Sequence, residues 1–187
     1  MKILTGKYKG RTLRTVNDLS VRPATGRVRQ TVFDVLTLRG FPDGARVLDL
    51  FAGSGSLGIE ALSRGAAHAT FVESDPRAVE CLERNIRMLG CDGIATILHM
   101  DAMTYVENGR GEFDLVFADP PYRFGGTRQI PENLMHRDMV FTGGYVLIEH
   151  SKEISFADSP LYTVELEKRF GRTVVSFLKH RGEQQGG

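Results

Sequence analysis

The sequence predicts an α/β protein in which a parallel β-sheet carries helices on both faces. Short apolar runs with strand character alternate with segments of helical periodicity between residues 46 and 150. Such alternation is typical of parallel strands joined by helical crossovers. Hydrophobic residues make up 41% and charged residues 25% of the 187 residues, as in ordinary globular domains. This length suits one α/β domain with a modest extension.

The first 30 residues differ in charge from the rest of the chain. They hold eight Lys and Arg residues and one acid, whereas the whole chain has 24 basic and 23 acidic residues. The asymmetry predicts a basic arm on an acidic body. Residues 1–24 read as short extended pieces, with a hairpin predicted between Gly6 and Gly10. Thr25 is a candidate N-cap for a helix whose apolar face holds Val28, Val32, Phe33 and Leu36.

From residue 46 onward, predicted strands and helices follow in turn. The strands are buried apolar runs, predicted at 46–51, 69–73, 95–100, 114–118 and 144–150. Helices are predicted at 57–64, 127–139 and 76–89. The last of these has Pro76 at its start and Gly90 after its end, which is the usual punctuation of a helix. Two β-rich runs around Gly171 predict a hairpin over 161–180.

A glycine-rich loop follows the first sheet strand and opens a helix. The stretch DLFAGSGSLG matches the pattern GxGxxG at Gly53, Gly55 and Gly58. Such glycines permit a tight turn and a close backbone approach to a ligand. Glu73 ends the next strand, where a carboxylate accepts hydrogen bonds from both ribose hydroxyls of a nucleoside. Asp101, after the third strand, is either an acceptor for the adenine amino group or a plain turn residue.

Two cofactors compete for this loop, a dinucleotide and S-adenosylmethionine. A dinucleotide places its anionic pyrophosphate on the helix N-terminus, whereas S-adenosylmethionine carries a sulfonium cation and no phosphate. Asp49 lies just before the loop, where negative charge favours a cation and disfavours a pyrophosphate. The loop also lacks a basic residue for a phosphate. The site therefore favours S-adenosylmethionine.

A second predicted site is FADPPY, residues 117–122, at the end of the fourth sheet strand. We expect this strand to lie beside the first, across the switch point from the glycine loop. The prolines stiffen the loop, and Pro121 biases Pro120 toward an extended conformation that leaves the Pro120 carbonyl as a free acceptor. Asp119 adds a second acceptor, and Tyr122 adds an aromatic face. Together these groups predict a binding site for the exocyclic amine of a nucleobase.

Such a receptor activates a poor nucleophile. The lone pair of an exocyclic amine is delocalised into the ring, and acceptance of both N–H hydrogens draws the nitrogen toward tetrahedral geometry. The amine then attacks a sulfonium methyl group in line, with orientation supplying several kcal/mol of the barrier. A paired base must first be flipped out of its helix, and Tyr122 is expected to stack on it.

The sequence resembles the RsmD-like family, which methylates guanine N2 in small-subunit (16S) ribosomal RNA. The resemblance rests on ILTGKYKGRTL, VRPATGRVRQTVFDVL, VLDLFAGSGSLGIEALSRGA, FVESD and DLVFADPPY, in that order. It implies a Rossmann-like, seven-stranded, mostly parallel sheet with an antiparallel C-terminal hairpin strand. It also implies a basic N-terminal extension (1–40, hairpin plus helix) for RNA contact and an S-adenosylmethionine-dependent methyltransferase domain (41–187). The start departs slightly, with ILTG where an Ile-Ile/Ser-Gly pattern is usual.

The resemblance and the motifs assign roles to individual residues. Cofactor contacts are expected at Asp49, Phe51, Ala52, Gly53, Ser54, Gly55, Gly58, Glu73, Ser74, Asp101 and Ala102. The catalytic, amine-binding loop consists of Asp119, Pro120, Pro121 and Tyr122. Contacts to the phosphates of the RNA partner, either ribosomal RNA or the assembling small subunit, are expected from Lys7, Lys9, Arg11, Arg22, Arg27 and Arg29.

Three alternatives remain open at this stage. DPPY is shared with adenine-N6 methyltransferases acting on RNA or DNA, GxGxxG with NAD-dependent oxidoreductases, and the basic arm with non-catalytic RNA-binding proteins. Cys81 and Cys91 form no CxxC, and the histidines lack metal-ligand spacing, so we expect no metal. Two cysteines outside any disulfide framework fit a reducing cytoplasm, and the sequence shows neither a signal peptide nor a membrane-spanning run, so we expect a cytoplasmic protein with no membrane partner. Nothing in the sequence requires a dimer, and we expect a monomer.

Overall fold

A seven-stranded sheet lies at the centre of the computed structural model, which describes residues 1–16 and 26–181. In chain order the strands are β1 (Arg46–Leu50), β2 (His68–Glu73), β3 (Ala95–His99), β4 (Phe113–Ala118), β5 (Val140–Ser151), β6 (Tyr162–Phe170) and β7 (Thr173–His180). Their spatial order is β3-β2-β1-β4-β5-β7-β6. Strands β1 to β5 pair in parallel, and β7 runs antiparallel to both of its neighbours. The predicted fold class is confirmed.

Helices cover both faces of this sheet. They are α1 (Gly26–Thr37), α2 (Ser56–Ser63), α3 (Pro76–Leu89), α4 (Ala102–Asn108) and α5 (Gln129–His136), with a 3₁₀ turn at Asp92–Ile94. Side chains alternate along each strand, so that Val47 contributes to the core under α1, α2 and α3, and Leu48 to the core under α4 and α5. The longest helix, α3, begins where the Asp75 side chain accepts the Arg77 N–H at 2.8 Å and ends at the left-handed Gly90.

The elements differ from the sequence prediction in three places. Helix α4 was not predicted, because its seven residues are too few to show a clear apolar period. Helix α5 is shorter than the predicted 127–139, and β5 begins four residues before the predicted start at 144. The C-terminal hairpin is confirmed, with its turn at Gly171, where φ is 65°.

The N-terminal extension packs on the sheet core. Residues 1–13 double back with one antiparallel bridge, between Lys2 and Thr12, so the predicted hairpin lacks extended strands. Its Ile3 and Leu13 side chains are 2% exposed and join the same apolar core as Phe33 of α1. The predicted division at residue 40 is therefore not a boundary between separate cores. The candidate N-cap Thr25 lies outside the described residues.

Candidate active site

The two predicted loops leave the same edge of the sheet. Strand β1 pairs with β4 in a register that sets Asp49 level with Phe117 and Leu50 level with Ala118. The loops that follow these strands touch, because the rings of Phe51 and Phe124 meet edge to face with centroids 5.2 Å apart. The structure thus brings the glycine loop and the DPPY loop together at the carboxyl ends of adjacent strands, where α/β sheets bind ligands.

The glycine loop turns sharply and leaves open space beside it. Phe51 has a φ of 58°, a costly conformation for a residue with a side chain, and Gly53 and Gly55 have φ values of 56° and 82°. A Cβ at Gly53 would have no atom within 4 Å, whereas a Cβ at Gly58 would lie 2.3 Å from the Phe71 ring. Gly58 therefore lets α2 pack closely on the sheet, and the space at Gly53 is available to a ligand.

Glu73 joins the glycine loop to the end of β2 through hydrogen bonds. One carboxylate oxygen accepts the Gly53 N–H at 2.7 Å, and the other accepts the N–H groups of Ser74 and Asp75, each at 2.8 Å. A carboxylate offers about four acceptor positions. Glu73 thus holds the loop in shape and retains acceptor capacity for a hydroxyl group.

Other members of the predicted cofactor set have structural partners as well. Ala52 is buried and donates its N–H to the Val72 carbonyl at 3.1 Å, and Ala102 is buried at the start of α4. Asp101 caps α4, since its Oδ1 accepts the Thr104 N–H at 2.8 Å. The adenine contact of Asp101 stays a prediction, because capping occupies only one of its two oxygens.

Asp49 is buried beneath the glycine loop, with 2% of its surface exposed. Its Oδ2 accepts the Gly58 N–H at 2.8 Å. Burial raises the pKa of Asp49 to about 8; the Gly58 hydrogen bond opposes this rise and the charge of Glu73 adds to it. The expectation of a full negative charge is therefore corrected: near neutral pH the protonated form of Asp49 predominates unless a cation lies beside it.

Two acceptors of the DPPY loop, the Asp119 carboxylate and the Pro120 carbonyl, have no hydrogen-bond donor in the part of the chain that the structure describes. Burial, together with repulsion from Glu149 and Asp49, raises the pKa of Asp119 well above its usual value. Among the described residues, no donor reaches the Pro120 carbonyl, as predicted for a free acceptor. Tyr122 is 68% exposed. The turn is closed by the Phe124 N–H, which donates to the Pro121 carbonyl at 2.7 Å.

Glu149 is a site residue that the sequence analysis missed. The pairing of Ala118 with Ile148 sets Asp119 level with Glu149 on the adjacent strand. Burial raises the pKa of Glu149. A signal was present in the sequence, because an acid stands within two residues of the end of each of the five parallel strands: Asp49, Glu73, Asp101, Asp119 and Glu149.

Asn85 is a second missed residue, fully buried on the inner face of α3. Its Oδ1 accepts the Arg14 N–H at 2.8 Å, and its Nδ2 donates to the carbonyls of Arg14 and Ser54, both at 3.0 Å. The amide therefore joins the N-terminal segment to the glycine loop. Only its place among the apolar positions of α3 distinguishes it in the sequence.

The predicted RNA-contacting residues separate into exposed and buried side chains. Lys7, Lys9, Arg11 and Arg27 are exposed, and Arg22 lies outside the described residues. The prediction is wrong for Arg29, which is 1% exposed and unavailable to a phosphate. Its Nη2 donates to the Lys2 carbonyl at 2.6 Å, and its Nε lies 4.0 Å from the Glu60 carboxylate. Arg29 instead joins the N-terminal extension to helix α2 through its contacts with Lys2 and Glu60.

Neither a metal cluster nor a membrane span is found in residues 1–16 and 26–181. No group of three or more His, Cys, Asp or Glu side chains there is arranged to hold a metal ion. No helix of these ranges has the length and apolar character needed to cross a bilayer.

Comparison with known proteins agrees with this architecture along the whole chain. A relative in Haemophilus influenzae, named ribosomal RNA small subunit methyltransferase D, is 33% identical over 180 residues, which cover 95% of this chain and 91% of the relative. The solved structure of yhhF from Escherichia coli is 30% identical and superposes with a TM-score of 0.88 over 98% of this chain and 99% of that one.

A more distant structure shares the fold. An RNA methyltransferase from Salinibacter ruber, solved with S-adenosyl-L-homocysteine, has a TM-score of 0.67 at 16% identity and covers 87% of this chain and 95% of its own. The family model described as "Conserved hypothetical protein 95" matches residues 1–179. The chain therefore belongs to this family, the RsmD-like family that its sequence resembles.

Proposed function

We propose that the protein transfers a methyl group from S-adenosylmethionine to the exocyclic N2 amine of a guanine in small-subunit ribosomal RNA. The observation that carries the proposal is the contact between the two loops at the carboxyl edge, with Phe51 against Phe124 and Asp119 beside the buried Asp49. Membership of a family whose Haemophilus relative is named as an rRNA methyltransferase supports the reaction class.

The donor set of the first loop fits the proposed cofactor. Glu73 and the open space at Gly53 suit a ribose, and Asp49 lies where a cation would restore its charge. Loop residues 49–58 include no basic side chain for a pyrophosphate. When bound, S-adenosylmethionine supplies a methyl group activated by its positive sulfur.

The second loop holds the amine. The Asp119 carboxylate and the Pro120 carbonyl each accept one N–H, which orients the nitrogen lone pair toward the glycine loop. Tyr122, exposed at the rim, provides a surface on which the flipped base stacks. The raised pKa of Asp119 makes its ionised form a competent acceptor for the proton that the amine releases.

The test is methyl transfer by Asp119→Ala to small subunits that lack the modification. Removal of the acceptor should lower kcat by on the order of 10²–10³-fold and leave the Kd for S-adenosylmethionine, measured by calorimetry, nearly unchanged. Asp92→Ala, which removes an exposed acid at the start of the 3₁₀ turn, is the matched control.

The methylated nucleoside in the product distinguishes the guanine-N2 proposal from the adenine-N6 alternative. Digestion and mass analysis should yield N2-methylguanosine, whereas N6-methyladenosine would establish the adenine alternative. Full activity of Asp119→Ala, or binding of NAD in place of S-adenosylmethionine, would refute the proposal.

A further inference from the structure

Two half-buried carboxylates, Asp119 and Glu149, stand side by side near the carboxyl ends of β4 and β5. The register that pairs Ala118 with Ile148 continues to Asp119 and Glu149, on strands about 4.8 Å apart. Asp119 follows Leu115 and Phe117 on the face covered by α1 and α2, and Glu149 follows Leu147 on the same face. The two carboxyl groups therefore lie together, and their charges repel each other.

Neither carboxyl group has a hydrogen-bond donor within residues 1–16 and 26–181. No described residue donates a hydrogen bond to Asp119 or Glu149, whereas Asp49 receives the Gly58 N–H. Glu149 also borders a narrow apolar crevice between α1 and the sheet, lined by Val28, Val32, Leu57, Phe117, Leu147 and Val175. A half-buried acid without a donor, at the mouth of an apolar crevice, is an acceptor available to a ligand.

The position of Glu149 separates it from the cofactor loop. In the sheet order β1-β4-β5, Asp119 lies between the glycine loop after β1 and Glu149 on β5. A base whose amine is held at Asp119 and Pro120 therefore has its ring edge on the β5 side. In guanine, the ring N1 is bonded to the same carbon as the N2 amine and carries a hydrogen; in adenine, the ring nitrogen beside the amine is an acceptor.

We infer that Glu149 is the base-reading residue of this site: its carboxylate accepts the N1–H of guanine and rejects adenine, whose ring nitrogen presents a lone pair there. This inference rests on the proposed function and extends it, because Asp119 and Pro120 read an amine that both purines possess. The specificity arises from an unfavourable contact with the wrong base as much as from a favourable one with the right base.

The experiment substitutes the base at the methylated position. Once that nucleotide is identified, small subunits are reconstituted with rRNA carrying either guanine or 2-aminopurine there. 2-Aminopurine keeps the amine, replaces the N1–H by an acceptor and lacks the O6 oxygen of guanine, so the contact at N1 is tested by the change of preference in the Glu149 variants. The wild type should prefer guanine in kcat/KM by about 10²-fold, since an unpaired buried polar group strongly disfavours the analogue.

Glu149→Gln should reduce the preference for guanine over 2-aminopurine to less than about tenfold. The glutamine amide can accept a hydrogen bond from the N1–H of guanine and can donate one to the unprotonated N1 of 2-aminopurine. Glu149→Asp keeps the charge and should retain the preference, as should the control Glu153→Gln, which alters an exposed acid nearby. A guanine preference in Glu149→Gln equal to that of the wild type would overturn the inference while leaving the methyltransferase intact. Absence of methyl transfer by the wild type on any small subunit would instead refute the proposed function.

Discussion

Two groups of charged side chains, one buried and one partly buried, differ in how their charges are satisfied. Under the N-terminal extension, the Glu60 carboxylate accepts the N–H groups of Leu4 and Thr5 at 2.8 and 3.1 Å and the Arg64 Nε at 2.8 Å. At the carboxyl edge, Asp119 and Glu149 receive no hydrogen bond from the described residues. We call the first group the Glu60 cluster (Arg29, Glu60, Arg64) and the second the edge carboxylates (Asp49, Asp119, Glu149).

The contrast indicates different roles for buried charge. In the Glu60 cluster, the acid lies between two cations, and Arg64 also covers the Phe33 ring at 4.7 Å. Such a group anchors chain segments, here residues 4 and 5 on α2. Burial raises the pKa of each edge carboxylate, and the charges of Glu149 and Asp49 raise the pKa of Asp119 further. Unsatisfied groups of like charge are unfavourable for stability and are found where a ligand provides the missing donors.

The largest effect is expected from breaking the Glu60 cluster. Glu60→Gln leaves Arg29 and Arg64 buried without a counter-charge and should lower the free energy of unfolding by about 3–5 kcal/mol. Urea denaturation measures the change. The control is Glu80→Gln on α3, where the acid pairs with Arg84 at the surface and the expected loss is below about 0.5 kcal/mol. Equal losses in the two variants would contradict the anchoring role of Glu60.

A smaller, pH-dependent effect is expected at Asp49. Its pKa in the folded protein is about 8, well above the ordinary value of 3.8, so the folded state favours the protonated form. The resulting stabilisation is complete below pH 4 and is lost as the pH rises toward 8. The free energy of unfolding of the wild type should therefore fall relative to that of Asp49→Asn across this window, by on the order of a few kcal/mol.

The measurement is a series of urea denaturation curves for both proteins between pH 4 and pH 8. A difference between the two proteins that stays constant with pH would show that Asp49 titrates normally. Addition of S-adenosylmethionine should shift the transition of the wild type to lower pH, since a nearby cation favours the ionised acid.

The sequence predicted the two loops at the carboxyl edge of the sheet far better than it predicted the Glu60 cluster. Parallel topology alone sends the ends of β1 and β4 to one side, so Gly53 and Asp119 could be placed together before any coordinates. The neighbour of Asp119 on β5 depends on strand register, which apolar runs do not specify, and Glu149 was missed. Helix α4 was missed because a single turn or two leaves little periodicity.

The error at Arg29 has a related cause. A charge count treats every arginine of a basic segment as exposed, although Arg29 stands three residues before Val32 and four before Phe33, on the inner face of α1. Periodicity could have removed it from the predicted RNA surface. It could not have supplied Glu60 as the partner, because that contact joins positions 31 residues apart in the chain.

The smallest effect on stability is expected from Arg27→Ala on α1. Arg29→Ala on the same helix provides the comparison between an exposed and a buried arginine. Arg27 is exposed, so Arg27→Ala should leave the free energy of unfolding within about 0.5 kcal/mol of the wild type. If Arg27 contacts a phosphate, its loss should reduce the slope of log K against log salt for small-subunit binding by about one. Arg29→Ala should instead destabilise the protein and leave that slope unchanged, because its side chain never reaches the surface. An unchanged salt slope in Arg27→Ala would remove α1 from the RNA-contacting surface.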